Sequence, residues 1–137
     1  MSKLESNRTP GKYDVLQASK ELAGYTLKLT MNEKHFPKRY RFSVTEKLNN
    51  KVIEIIDLLV MANELYPNSR IELERRLLWQ KQARAACRSL MTLMEIAADT
   101  FGVNAGTLEH WTGQAADVRR HITAWIIADK ERFNNLI

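Results

Sequence analysis

The sequence predicts an all-α protein, an antiparallel up-down four-helix bundle, on three observations. Apolar residues recur every three or four positions over four long stretches. Only three prolines occur in 137 residues, and Pro10, Pro37 and Pro67 fall ahead of or between those stretches. No alternating apolar and polar run reads as a strand. At 45% hydrophobic residues the chain can build a real core, and its length suits one domain.

Each element has its own signal. Residues 1–11 (MSKLESNRTPG) are polar and end in Pro-Gly, so a flexible tail is expected there, with a single domain over 12–137. From Tyr13 the spacing of Val15, Ala18, Leu22, Tyr25 and Leu29 is helical, with Gly24 a local weakness. The second helix is predicted to start at Ser43, because Ser43 and Glu46 have capping-box spacing, and to stop before Pro67. Its core stripe is Val44, Leu48, Val52, Ile55, Leu59 and Ala62. Ile53, Ile56 and Val60 add a second stripe beside it. Together they cover well over half the circumference, more than a helix at the edge of a small monomer needs. The second stripe is therefore a candidate subunit contact.

Ser69 and Glu72 repeat the capping-box spacing, which starts a third helix near Arg70. It runs to about Phe101, where Gly102 is a natural stop. Its core face reads Trp79, Ala83, Ala86, Leu90, Met94, Ala97 and Phe101. Leu73 and Leu77 lie off that face, which suits either a subunit contact or burial by a neighbouring loop. The fourth helix starts between Asn104 and Thr107. Leu108, Trp111, Ala115, Val118, Ile122 and Trp125 are its core, and it frays near Asn134.

Catalytic and cofactor motifs are missing from the sequence, and no enzyme and no cofactor are expected. There is no P-loop and no GxGxxG. Asp117 and His121, at i and i+4, are two ligands on one helix and make a weak metal signal. The single cysteine, Cys87, excludes an internal disulfide and is read as a buried thiol. No apolar run reaches membrane-span or signal-peptide length, so no membrane partner and a cytoplasmic location are expected.

The cations carry more information. Residues 1–41 hold nine Lys or Arg against four acids, and residues 70–88 hold six against two. Lys81, Arg84 and Arg88 are spaced i, i+3, i+7 and share one helix face with no acid between them. Such a row is either a solvated outer face or a phosphate-binding stripe. Arg75 and Arg76 are expected at the sides of the same helix, and Asp117 is expected to screen Arg119 and Arg120. Lys38, Arg39 and Arg41 form a second group, in HFPKRYRFSVTEKL (35–48). There Phe36 is expected to cover one end of the bundle, and Phe42 to pack as a staple near Lys47 and Leu48.

The segment FPKRYRFSVTEKLNNKVIEIIDLLVMAN resembles the signature of the accessory variability determinants, small proteins of diversity-generating retroelements. The resemblance rests on Phe36, Pro37, Lys38, Arg41 and Phe42 opening a long helix. The last helix, DVRRHITAWIIADK, looks like that family's closing helix. It covers about residues 33–130. The chain departs from the pattern at Ser43-Val44-Thr45, where the family has Thr-Leu-Gly, and at Thr123-Ala124, where it has Gly-Gly. A related group, encoded within ribosomal-RNA intervening sequences, is also a basic four-helix bundle.

The resemblance implies a ring-like homopentamer that binds a reverse transcriptase and its template RNA, with DNA a further candidate, and supports mutagenic cDNA synthesis without being a catalyst. On it, Lys38, Arg39, Arg41, Lys81, Arg84 and Arg88 are the expected nucleic-acid contacts. Ile53, Ile56, Val60, Leu73 and Leu77 are the expected subunit contacts. The alternative is a protein–protein module without nucleic-acid affinity.

Overall fold

The computed structural model describes residues 12–137, so the expected tail over 1–11 lies outside the described residues. Four helices account for most of the chain: α1 (Lys12–Thr30), α2 (Glu46–Glu64), α3 (Arg70–Phe101) and α4 (Ala105–Arg132). No strand occurs among the described residues. α1 packs on α2 and α4, and α3 packs on the same two helices from the other side. Each helix thus has two neighbours, and one core runs between all four.

The core follows the predicted periodicity. Val15, Leu22, Leu48, Leu59, Leu90, Met94 and Ile122 are buried at its centre. Trp111 is fully buried, and its indole N–H donates to Thr26 Oγ1 at 2.9 Å. Thr26 in turn donates to the Leu22 carbonyl at 2.8 Å, so the buried polar atoms are satisfied in series.

The caps explain the breaks between helices. Ser69 Oγ accepts from the Glu72 backbone N–H at 3.2 Å, as predicted. The Glu72 carboxylate reaches back one residue further than the usual box and accepts from Asn68 N–H at 2.8 Å. At the other end of α3, Gly102 takes φ +72°, a conformation open to glycine. Gly102 and Val103 both donate to the Ala98 carbonyl, which closes the helix. Asn104 then caps α4 by accepting from Thr107 N–H at 2.8 Å.

The start of α2 differs from expectation. Ser43 makes no cap. The chain already winds from Pro37, first as a 3-10 turn (Lys38–Tyr40), then as a π turn (Arg41–Thr45) that leads straight into α2. Glu46 N–H donates to the Arg41 carbonyl, five residues back. The amides that a Ser43 cap would serve lie inside this continuous winding, and its hydroxyl donates instead to the Tyr40 carbonyl. Phe42 consequently stands 77% exposed rather than packed as a staple. Phe36, by contrast, is buried and meets Phe101 and Trp111 edge to face, with centroids 5.5 and 6.1 Å apart.

Candidate functional site

The predicted site residues fall on three separate surfaces. The first is the row on α3. Lys81 and Arg88 are exposed, and Arg84 is half-buried, with Nη1 3.4 Å from Thr123 Oγ1 on α4. That contact brings α4 to the row. Thr123 lies one turn beyond Arg119, whose carbonyl accepts from the Thr123 hydroxyl at 3.1 Å.

Asp117 does not screen Arg119. It pairs with Arg120, and His121 Nε2 lies 3.5 Å from its other oxygen. These are the i+3 and i+4 positions, whereas Arg119 at i+2 faces elsewhere. Among the described residues no carboxylate pairs with Lys81, Arg84, Arg88 or Arg119. Arg119 is therefore the member of this group that sequence reasoning discounted, and the i, i+3, i+4 rule would have kept it.

Cys87 lies behind the row. Burial pushes its thiol up from 9.0 to about 12, against a smaller opposing pull from the Arg119 charge. It is a neutral, buried group at ordinary pH, without the electropositive, exposed setting of a reactive thiol. Asp117 and His121 belong to no cluster of three potential metal ligands among the described residues.

The second surface is apolar. Ile53 and Val60 on α2 are 47% and 42% exposed, and Ile56 between them is half-buried against the core. Leu77 is likewise half-buried against the core. Leu73 corrects the expectation of a subunit contact, because it is only 1% exposed within its own chain. It shares a buried face with Arg76 and Gln80, which continues the Ala83–Leu90 face toward the start of α3.

Arg76 also differs from expectation. It is buried, and it binds Asp129 of α4 through two bonds, Nε to Oδ2 at 2.8 Å and Nη2 to Oδ1 at 3.1 Å. Gln80 Nε2 donates to Asp129 Oδ2 at 2.6 Å, and Arg76 Nη1 donates to the Leu65 carbonyl at 3.1 Å. Trp125 and Phe133 flank the guanidinium. This network ties α3 and α4 to the end of α2 and is structural.

The third surface is at the opposite end, where α1 closes and α2 opens. A cleft of about 730 Å³ lies between the last turn of α1 and the π turn. Its apolar wall includes Leu27, Met31, Phe36, Pro37 and Phe42, and its charged lining is balanced, Lys38 and Arg41 against Glu33 and Glu46. Lys38 pairs with Glu33 at 3.5 Å. Arg39 lies over the Tyr40 ring, 4.9 Å from its centroid. Arg41 has no carboxylate partner among the described residues. The three cations predicted together thus have three different surroundings.

No described helix is long and apolar enough to cross a membrane. Comparison of the chain with family models, curated proteins and solved structures finds no match.

Proposed function

We propose that the chain is a non-catalytic, homo-oligomeric nucleic-acid-binding protein of the cytoplasm whose helices form an antiparallel up-down bundle. In this reading it assists the reverse transcriptase of a diversity-generating retroelement by binding template RNA during mutagenic cDNA synthesis. The observation that carries it is the row Lys81, Arg84 and Arg88, with Arg119 beside it. Among the described residues these cations are free of carboxylates. The α3 row spans about 10 Å along the helix, and its charges are left for a polyanion backbone.

Ile53 and Val60, exposed beside Ile56, support self-association. In an oligomer each row recurs once per subunit, so +5 per chain becomes a strong field. Lys38, Arg39 and Arg41 add to that field, but Lys38 is already paired and Arg39 lies over a ring. We therefore assign the direct phosphate contacts first to the α3 row. The reverse transcriptase and the retroelement enter through the resemblance of residues 36–42 and of the last helix.

The test is a titration of labelled single-stranded RNA at several salt concentrations. Arg84→Glu with Arg88→Glu should weaken binding and reduce the salt slope by roughly one unit per lost contact. The mass by light scattering should not change. Unchanged RNA affinity at low salt would overturn the assignment. A wild-type chain that binds no RNA at low salt would leave the self-associating protein–protein module as the better reading.

A further inference from the structure

The cleft between α1 and the π turn is continuous with the apolar stripe on α2. Asn49 lines the cleft and accepts from the Thr30 hydroxyl of α1 at 3.1 Å, which fixes the side of α2 that faces α1. Ile53, Ile56 and Val60 follow Asn49 at i+4, i+7 and i+11, so they share that side. Leu27 and Met31 supply the α1 edge of the cleft, and Phe42 supplies the π-turn edge. Met31 and Phe42 are each 77% exposed, and Leu27 is 41% exposed. Ile53 to Val60 span only about 10 Å along the helix, whereas Glu46 to Val60 span about 21 Å. The longer surface approaches the width that a specific interface of roughly 800 Å² per partner needs.

The charged lining is balanced in a particular way. Lys38 and Glu33 pair with each other. Arg41 and Glu46 are both exposed and both line the cleft. Among the described residues neither has a partner of opposite charge. One open cation and one open acid give the cleft no net sign with which to select a strongly acidic or basic partner. They make it its own complement instead. Turned through half a circle, a second copy sets its Glu46 against Arg41 and its Arg41 against Glu46. The π turn that holds Arg41 and Phe42 at the cleft is a local irregularity of the type that recurs at functional sites.

We propose that two copies of this chain meet at this cleft about a two-fold axis. Phe42 of each copy seats against Met31 and Leu27 of the other, and methionine adapts well to such a ring. Two Arg41–Glu46 pairs close the rim, and the α2 stripe continues the contact. The proposal rests on the self-association proposed above and names the contact that carries it. It uses none of the α3 row, and it makes Arg41 an interface residue rather than a phosphate contact.

The experiment is sedimentation of the full chain over a range of concentrations, with Arg41→Glu, Glu46→Lys and Phe42→Asp. Wild type should contain an even number of chains. Each charge reversal should weaken association by about tenfold or more, because two attractive pairs become two repulsive ones. A 1:1 mixture of Arg41→Glu and Glu46→Lys should recover most of the loss. In the mixed pair the two introduced charges face each other, and the remaining Arg41 faces the remaining Glu46. Phe42→Asp should weaken association in any mixture. All three side chains are exposed, and unchanged thermal melting confirms that the variants fold. An odd number of chains, association indifferent to the charge reversals, or a mixture that recovers nothing would overturn the two-fold contact. Arg41→Glu that weakens RNA binding at unchanged mass would overturn it in favour of nucleic acid. A wild-type chain that stays single at every concentration would end the self-association reading itself, so the two fail separately.

Discussion

Replacing Asp129 with Asn removes one charge from a buried network and changes the side chain's shape very little. Asp129 accepts from Arg76 twice, from Gln80 once and from Arg132 at 3.2 Å. Asn has one acceptor oxygen, and its amide group would face donors. Arg76, only 2% exposed, would remain charged with the Leu65 carbonyl and a single neutral amide oxygen, shared with Gln80, as its acceptors. Removing one partner of a buried pair costs about 3–5 kcal/mol, a large share of the roughly 5–15 kcal/mol that holds a domain together. Unfolding entropy of about 2.1 cal/mol/K per residue gives about 0.29 kcal/mol/K over 137 residues. Asp129→Asn should therefore lower Tm by about 10–17 °C. Arg76→Met combined with Asp129→Leu should recover most of that loss, because an apolar replacement leaves no orphan charge. The assay is thermal unfolding followed by circular dichroism. A single variant melting within about 2 °C of wild type would refute the view that this charge is locked inside the fold.

Two further outcomes follow from the other surfaces. Ile53→Asp with Val60→Asp should lower the oligomer mass by light scattering while leaving helicity unchanged, since both side chains are over two-fifths exposed; an unaltered mass would remove the α2 stripe from the interface. The Cys87 thiol has its folded pKa raised from 9.0 to about 12, so its stability contribution is full below pH 9 and falls as pH rises toward 12, where the unfolded chain releases the proton first. Urea midpoints should thus fall more steeply above pH 9 for wild type than for Cys87→Ala, and parallel slopes would refute it.

The helices were legible because their signals are local. The alternation of apolar residues at three and four, the Ser69 and Asn104 caps and Gly102 each act within one turn of themselves. What was not legible depended on distant partners. Arg76 and Gln80 extend the buried face of α3, but as polar residues they hide the stripe that would have placed Leu73 inside. Their acceptor, Asp129, lies 53 and 49 residues away, beyond any spacing rule. The cap at Ser43 failed for a local reason of another kind. Pro37 starts the winding earlier than Ser43, which gives the serine no free helix end to serve. Of the cations, the α3 row could be read from phase alone. The cleft could not, because it exists only once α1 and the π turn lie side by side.

That π turn has an evolutionary reading. A π turn is a helical stretch carrying one surplus residue. Deleting a single codon among those for residues 41–45 would restore a regular α-helical register ahead of Glu46. The segment from Pro37 to the deletion would turn by about 100° relative to α2, carrying Phe42 off the cleft. The core positions of α2, from Leu48 to Ala62, would keep their phase. The cleft can therefore be gained or lost in one insertion or deletion that keeps the α2 core in phase, at the cost of re-seating Phe36 against Phe101 and Trp111.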